Sequence, residues 1–513
     1  MHHLRFRTPQ TDATDRGGAS RNNLAGSRLT RSLVRISHPA VAVSLIWIAI
    51  ASFDRSSQAQ WDPPAIDAFP RHEAVIAGTE SLEYFIAAGR RLFATKFNRS
   101  DGAGRPTATG DSKPTIRVDR ELPFQRLAGP DANSCAGCHS QPFVGGSGDF
   151  AVNVFVGAHF TDPPTSVIDP VLTNERNTIS VFGAGAIEML AREMTDELHS
   201  QRHEAQIKAR ATAENVRVEL KTKGVSFGFL VARPDGTNDV GGIDGVDIDL
   251  VVKPFGVKGV AVSLREFTNF ALNHHHGIQP VERFGWVRTG VLDFDGDGVI
   301  EEFSVGQISA MTVFQAALPA PRQVPYSDPS KAAGAKIGQQ KFREVGCATC
   351  HIPTLPLRTM WFFEPNPYNR PGAAVPADTG GQIPVPLPIE NSSALFRADD
   401  GAIYVSAFTD LKRHVICDHD DLYFCNEKRI QDFVPTDQFL TAKLWDAGSS
   451  GPYGHRGDLT TLSEAILHHS GEAKEARKAF LRLQDHERKG IVLFLQSLRN
   501  VSEAGVLDPW SPK

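Results

Sequence analysis

Apolar positions along the chain follow two different periods. Ser81 to Phe97 has helical spacing, with Gly89 and Phe93 one turn apart, and Gly338 and Phe342 repeat that spacing far downstream. Helical spacing also runs through Leu264 to Asn273 and through Val305, Ile308, Met311, Phe314 and Leu318. It returns in Leu462 to His469 and in Glu472 to Leu498, the last broken near Asp485. A period of two marks Val216, Val218 and Leu220, and glycines and aspartates punctuate the chain from there to Val260, so 216–260 reads as a small β insertion. Val152 to Val156 is extended, and Arg176-Asn177-Thr178 is expected to open a helix carrying Glu188, Arg192 and Glu193. Proline and glycine dominate Arg99 to Pro130 and Pro353 to Pro388, which predicts long loops. Pro319 to Pro329 is the best linker.

Composition narrows the picture. A chain of 513 residues has room for two or three domains, and a formal net charge of -5 gives no sign of a nucleic-acid partner. An acidic surface suits a partner with a basic patch. Arg28, Arg31 and Arg35 precede an apolar run from Val41 to Ala51, and Ser57-Gln58-Ala59 offers a cleavage site. Residues 1–59 therefore read as a signal peptide, with an uncleaved anchor as the alternative. The apolar run is short for a membrane span. A periplasmic or otherwise exported protein with no integral span in the mature chain is expected.

Four of the six cysteines fall in one pentapeptide that occurs twice, Cys135-Ala136-Gly137-Cys138-His139 and Cys347-Ala348-Thr349-Cys350-His351. Each reads as a covalent haem c attachment site, the thiols meeting the two vinyl groups and the histidine lying under the iron. A zinc site built from both pairs is the alternative, and it leaves both histidines without a role. Cys417 and Cys425 remain, as a disulfide in an oxidising compartment or as two free thiols. The expected fold is mainly α, with two cytochrome c-like haem domains in tandem (60–320 and 321–513), a small β insertion and long loops. Asp293, Asp295 and Asp297, followed by Gly298, match the first half of an EF-hand loop. Ser304 stands at the twelfth position, where Glu301 or Glu302 would have to substitute, so calcium and a solvated Asp/Gly turn are both open readings.

The order of these motifs resembles the bacterial di-haem cytochrome c peroxidase superfamily, and within it the branch of di-haem or predicted thiol oxidoreductases. The likeness runs from about Tyr84 to Leu498 and includes Arg176 to Phe182, the tripled histidine at 274–276, and Pro452-Tyr453-Gly454-His455-Arg456-Gly457. It implies one six-coordinate haem that receives electrons and a second haem where peroxide or another small oxidant binds, with a small redox protein as donor or acceptor. It also implies a second axial ligand fourteen residues after His455, where a methionine is usual and His469 stands; His468 is the alternative. His159, or one of His274, His275 and His276, is the distal candidate for the N-terminal haem. Peroxide cleavage needs a proton donor, for which Glu188 is the first choice, with Arg192 holding its charge; a solvated Glu-Arg pair is the plainer alternative. His455 is expected beside the haems, hydrogen-bonded to a propionate, and Trp286 and Trp445 are candidate intervening aromatics. The function implied is a peroxidase-like di-haem c oxidoreductase passing electrons from the C-terminal to the N-terminal haem. The alternatives are an electron-transfer cytochrome without its own substrate and a di-haem oxidase of an organic or protein substrate.

Overall fold

Helix α1, Leu82–Ala94, begins where Ser81 Oγ accepts from the Tyr84 amide at 3.1 Å, and it buries Phe85, Leu92 and Phe93. The computed structural model describes residues 62–104, 132–149, 151–155, 173–389, 394–399 and 401–501. The signal peptide read in 1–59, most of the loop expected over Arg99 to Pro130, and His159 lie outside the described residues.

Strands β1 (Ala151–Phe155) and β2 (Thr173–Asn177) pair antiparallel, with Ala151 opposite Asn177. Arg176 and Asn177 therefore end a strand. The helix expected there starts later, after Gly183 has turned the chain at φ 71°. That helix, α2 (Ala184–Thr212), has 29 residues and is about 44 Å long. Beyond its buried first half it packs on an antiparallel sheet of β3 (Val216–Thr222), β4 (Val225–Ala232) and β5 (Asn238–Asp239). Leu220, Phe227 and Leu230 meet Ala205 and Ala209 in the main core, so the alternating stretch forms the expected β insertion.

Helix α3, Leu264–Ala271, is capped by Ser263 and runs into a π turn, Leu272–His276. Gly277 leaves that turn at φ 68°, and a Cβ there would stand 1.4 Å from Gly104 O, so only glycine lets the two segments touch. Helix α4, Val305–Ala316, starts with a Ser304–Gln307 capping box and is buried on nearly every face. It crosses α1 at Gly89, where a Cβ would lie 2.0 Å from Ala310 O, and Phe93 meets Phe314 edge-on at 5.4 Å.

The second half repeats the device. After β6 (Arg322–Gln323), helix α5 (Pro329–Glu344) takes Asp328 as its cap. Seven short strands come next: β7 (Leu355–Leu357), β8 (Trp361–Glu364), β9 (Ile383–Pro386), β10 (Leu395–Arg397), β11 (Ile403–Val405), β12 (Arg413–Val415) and β13 (Gln438–Leu440). The chain closes with α6 (Leu462–Leu467), α7 (Lys474–Arg482), α8 (Asp485–Gln496) and β14 (Leu498–Arg499), the last paired with β6. Helix α5 crosses α8 at Gly338, where a Cβ would lie 1.8 Å from Gly490 O, and Phe342 meets Phe494 at 5.5 Å.

The expectation of a mainly α protein built as two cytochrome c-like domains is overturned. Helix takes 36% and strand 17% of the structure, and the strands form six sheets of two or three strands each among the described residues. Much of this strand lies between Leu355 and Leu440, including the stretch read as a wrapping loop. Its prolines misled the reading. Pro356, Pro384 and Pro386 sit on the exposed face of edge strands, while Leu355, Leu357, Ile383 and Val385 turn inward. A proline costs no ladder bond where its missing N–H faces outward. Among the described residues no helix is long and apolar enough to cross a membrane.

Candidate functional site

The first pentapeptide folds into a single helical turn, Cys135–Cys138, and the His139 amide donates to Cys135 O at 2.9 Å. This carries both thiols and the imidazole to one cavity. Phe93 of α1 packs on His139 at 5.9 Å. Burial holds the His139 imidazole down to about 4, so it is neutral and able to ligate at neutral pH. The cavity measures about 1490 Å³, counting the space open to solvent, and Phe93, Ile187, Leu264, Phe267 and Met311 give it apolar walls. Its cationic lining is Arg176 and Lys443, and His139, His274, His275 and His276 also line it; no carboxylate does among the described residues. Two thiols beside a neutral imidazole, apolar walls and fixed cations suit a porphyrin with two propionates.

The second pentapeptide makes a 3-10 turn, Cys347–Thr349, and Phe342 packs on His351 at 6.4 Å, as Phe93 does on His139. His351 Nδ1 lies 3.1 Å from both Phe408 O and Ala442 O, and His469 Nδ1 lies 2.7 Å from Ala465 O. An Nδ1–H given to a carbonyl leaves the Nε2 lone pair for a metal. The two rings are 6.4 Å apart between centroids. Two imidazoles on one metal, at about 2 Å per bond, would stand roughly 6 Å apart, so this pair fits one iron. His468 turns elsewhere, pairing with Asp421 at 3.0 Å and stacking on Tyr423 at 4.6 Å.

One segment touches both places. Ala442 O accepts from His351, Lys443 lines the first cavity, and Trp445 is buried against Gly183, beside the cavity-lining Phe182 and Ala184. Burial pushes the Lys443 ammonium down to about 8, with Asp446 opposing. Nothing in the sequence singles out Lys443, a lone lysine outside any motif. Trp286, by contrast, is 62% exposed.

Glu188 and Arg192 are buried, not a solvated pair. Glu188 Oε2 accepts from the Leu264 amide at 2.8 Å and Oε1 from Asn366 Nδ2 at 2.9 Å. Burial pushes its carboxyl up to about 7, Arg192 pulling the other way. Neither residue lines the cavity, and Arg192 Nη1 donates to Phe363 O at 2.7 Å. His455 is buried among Tyr423, Phe424 and Phe439. Its Nε2 is 3.0 Å from Asn426 Oδ1, while Nδ1 is buried with no hydrogen-bond partner. Burial and the cations Arg176 and Lys258 hold its imidazole down to about 3.

Carboxylate oxygens of Asp293, Asp295 and Asp297 converge within 4.8 Å of one another. Asp293 accepts from the amides of Gly296, Asp297 and Gly298, which shapes the loop. Both carboxylate oxygens of Asp295 and one of Asp297 are buried without a partner. Burial and its neighbouring aspartates push Asp295 up to about 7. Glu302, more deeply buried near the same cluster, is pushed to about 10. Cys417 and Cys425 form a disulfide.

Residues 425–498 match the family model described as "Di-haem oxidoreductase, putative peroxidase". That stretch holds His455, His469 and α8, and the chain is similar to that family there. No curated protein matches the chain. Among solved structures, hydrazine synthase of Kuenenia stuttgartiensis overlays 86% of this chain and 97% of its own at 13% identity, with a TM-score of 0.33. So distant an overlay has no bearing on the chemistry of this chain.

Proposed function

We propose that the protein is an exported di-haem c oxidoreductase of peroxidase type. One haem would be held by Cys135, Cys138 and His139, the other by Cys347, Cys350, His351 and His469. The observation that carries the reading is the inequality of the two sites: paired imidazoles 6.4 Å apart at one, a large cavity at the other. Bound there, haem would supply one-electron chemistry, the C-terminal site taking electrons from a small redox protein and the N-terminal site passing them to peroxide or a similar oxidant.

The residues of the chain have separable tasks. Phe408 O and Ala442 O fix His351, and Ala465 O fixes His469, each by its Nδ1–H. Arg176 and Lys443 offset propionate charge, while neutral His455 gives its Nε2–H to Asn426 Oδ1 and keeps Nδ1 as an acceptor. Glu188 acts at one remove: it holds the first amide of α3, a wall of the cavity, with Arg192 beside it as counter-charge. Trp445 is the buried aromatic that supports a short path between the sites. Asp293, Asp295 and Asp297, with Glu302, are read as a calcium site of hard oxygen ligands. The disulfide, and the signal peptide read from the sequence of residues 1–59, support export.

The test is peroxide consumption by the half-reduced protein, supplied with a reduced small redox protein. Turnover is expected. Two haems per chain that react with neither peroxide nor cyanide, in any oxidation state, would refute the reading in favour of a pure electron carrier.

A further inference from the structure

The helices around the second pentapeptide carry a charge opposite to that of the whole chain. The protein has 59 acidic against 54 basic residues, a balance that predicts an acidic surface and a basic partner. Helix α5 reverses it with Lys331, Lys336, Lys341 and Arg343 against Glu344. Helix α7 does the same with Lys474, Arg477, Lys478 and Arg482 against Glu475. Each acid of α5, α7 and α8 is already paired: Glu344 and Glu487 with Lys341 at 2.9 Å, Glu475 with Lys478 at 2.8 Å, and Asp485 with Arg488. Lys474 and Arg477 meet Asp418 and Asp421, at 3.2 and 3.3 Å. That leaves a surplus of one sign. Lys336, Arg343, Arg482 and Lys489 are exposed and hold no ion pair among the described residues.

The same helices cover the second pentapeptide. Phe480 of α7 shares a cluster with Phe342, Cys347 and Ala348, and a Cβ on Gly346 would lie 3.8 Å from Ala476 Cβ. The first turn of α8 joins α5 to α7: Glu487 holds Lys341, and Arg488 Nη1 donates to Leu481 O at 3.1 Å. Arg477 Nη1 donates to Leu467 O at 3.2 Å, two residues before His469. Apolar side chains stand open on these elements, with Ile337 40%, Leu467 41% and Leu481 48% exposed. Ile337 follows Lys336 and Leu481 precedes Arg482 in the chain. Exposed aliphatic groups beside charges of one sign mark an interaction surface, and the sign selects the partner.

We propose that this face, built on α5, α7 and the first turn of α8, is where a small redox protein with an acidic surface docks. This rests on the di-haem reading above and deepens it by fixing the charge of the electron donor. One electron leaves the donor, which is oxidised, and reduces the haem iron held at His351 and His469; no atom is transferred. A transient contact of this kind needs only a small apolar centre, because long-range attraction supplies the encounter rate.

The experiment is stopped-flow reduction of the oxidised full chain, followed by haem absorbance, with reduced flavodoxin as an acidic small redox protein. The second-order rate should fall about tenfold as salt rises from about 20 to about 300 mM. Reversing the charges together, Lys336→Glu with Arg343→Glu and Arg482→Glu, should lower the low-salt rate about tenfold. Reduction by lumiflavin, which is small and uncharged, should be the same in both chains. A rate that is flat or rises with salt, or a reversed chain reduced by flavodoxin as fast as wild type, overturns the proposal. Should the reversed chain fail to fold, Lys336→Gln with Arg343→Gln takes its place, with a smaller fall expected and no fall overturning. Sedimentation of the wild-type chain as a dimer that the reversal dissolves, or binding to phosphatidylglycerol vesicles that it abolishes, would give the face to a second copy or to a lipid surface and overturn the proposal. No readout uses peroxide, so a failure to turn over peroxide leaves the docking face standing.

Discussion

If the Asp293–Asp297 loop holds calcium as proposed, removing the ion, or the carboxylate of Glu302, should change how stability depends on pH. Glu302 is 8% exposed, and burial, followed by the aspartates of the loop, raises its carboxyl from 4.5 to about 10. Between those values the unfolded chain has lost its proton and the calcium-free folded chain keeps it. Folding stability is then largest below pH 4.5 and falls as pH rises, by about 1.4 kcal/mol per pH unit for this one group. From pH 5 to 7 that amounts to about 3 kcal/mol, lost until the folded form itself deprotonates near 10. A bound cation must displace this proton, and at pH 7 about half of one from Asp295, whose value is about 7. Calcium binding at pH 7 should therefore release about 1.5 protons. Titration calorimetry in two buffers of different ionisation enthalpy counts them. Chemical unfolding with and without chelator, in wild type and Glu302→Gln, measures the slope. Calcium binding with no proton release would refute the reasoning, as would equal pH slopes for chelated wild type and Glu302→Gln.

Other substitutions probe separate parts. His469→Met should raise the potential of the C-terminal haem in a redox titration, because a thioether favours the reduced iron; an unchanged potential would argue against ligation by His469. Gly338→Ala should lower stability by about 1–3 kcal/mol or more, since its Cβ would meet Gly490 O at 1.8 Å; thermal unfolding measures it. Replacing Cys417 and Cys425 with serine opens a loop of sequence separation 8. It should cost about 2–3 kcal/mol in denaturant unfolding.

The range of the forces involved decides which elements were legible in the sequence. Gly89, Phe93, Gly338 and Phe342 were readable because a close helix crossing demands a small residue at a fixed distance from an aromatic. The alternation at Val216 to Leu220 was readable because one face of that sheet is buried. The short strands after Leu355 were not, since three residues hold no period and proline looks the same in a loop as on a strand edge. Among the candidate site residues, those set by covalent spacing, Cys135 to His139 and Cys347 to His351, stand in local turns. Lys443 could not be found beforehand, because only tertiary packing brings it to the cavity. Glu188 was singled out by its place on α2, yet its two oxygens are committed to Leu264 and Asn366 behind the wall. Helical phase alone does not tell a lining group from one that props the lining.

The stretch from Ala442 to Trp445 has a consequence for how such a chain can change over time. It grips His351 with one carbonyl, presents a lysine to the other site, and wedges an indole under the start of α2. The two helix crossings at Gly89 and Gly338 are thus tied together by one segment. Grafting either half onto a foreign partner would sever a shared hinge-pin, and transplants should succeed only when this stretch travels together with the segment around Gly183.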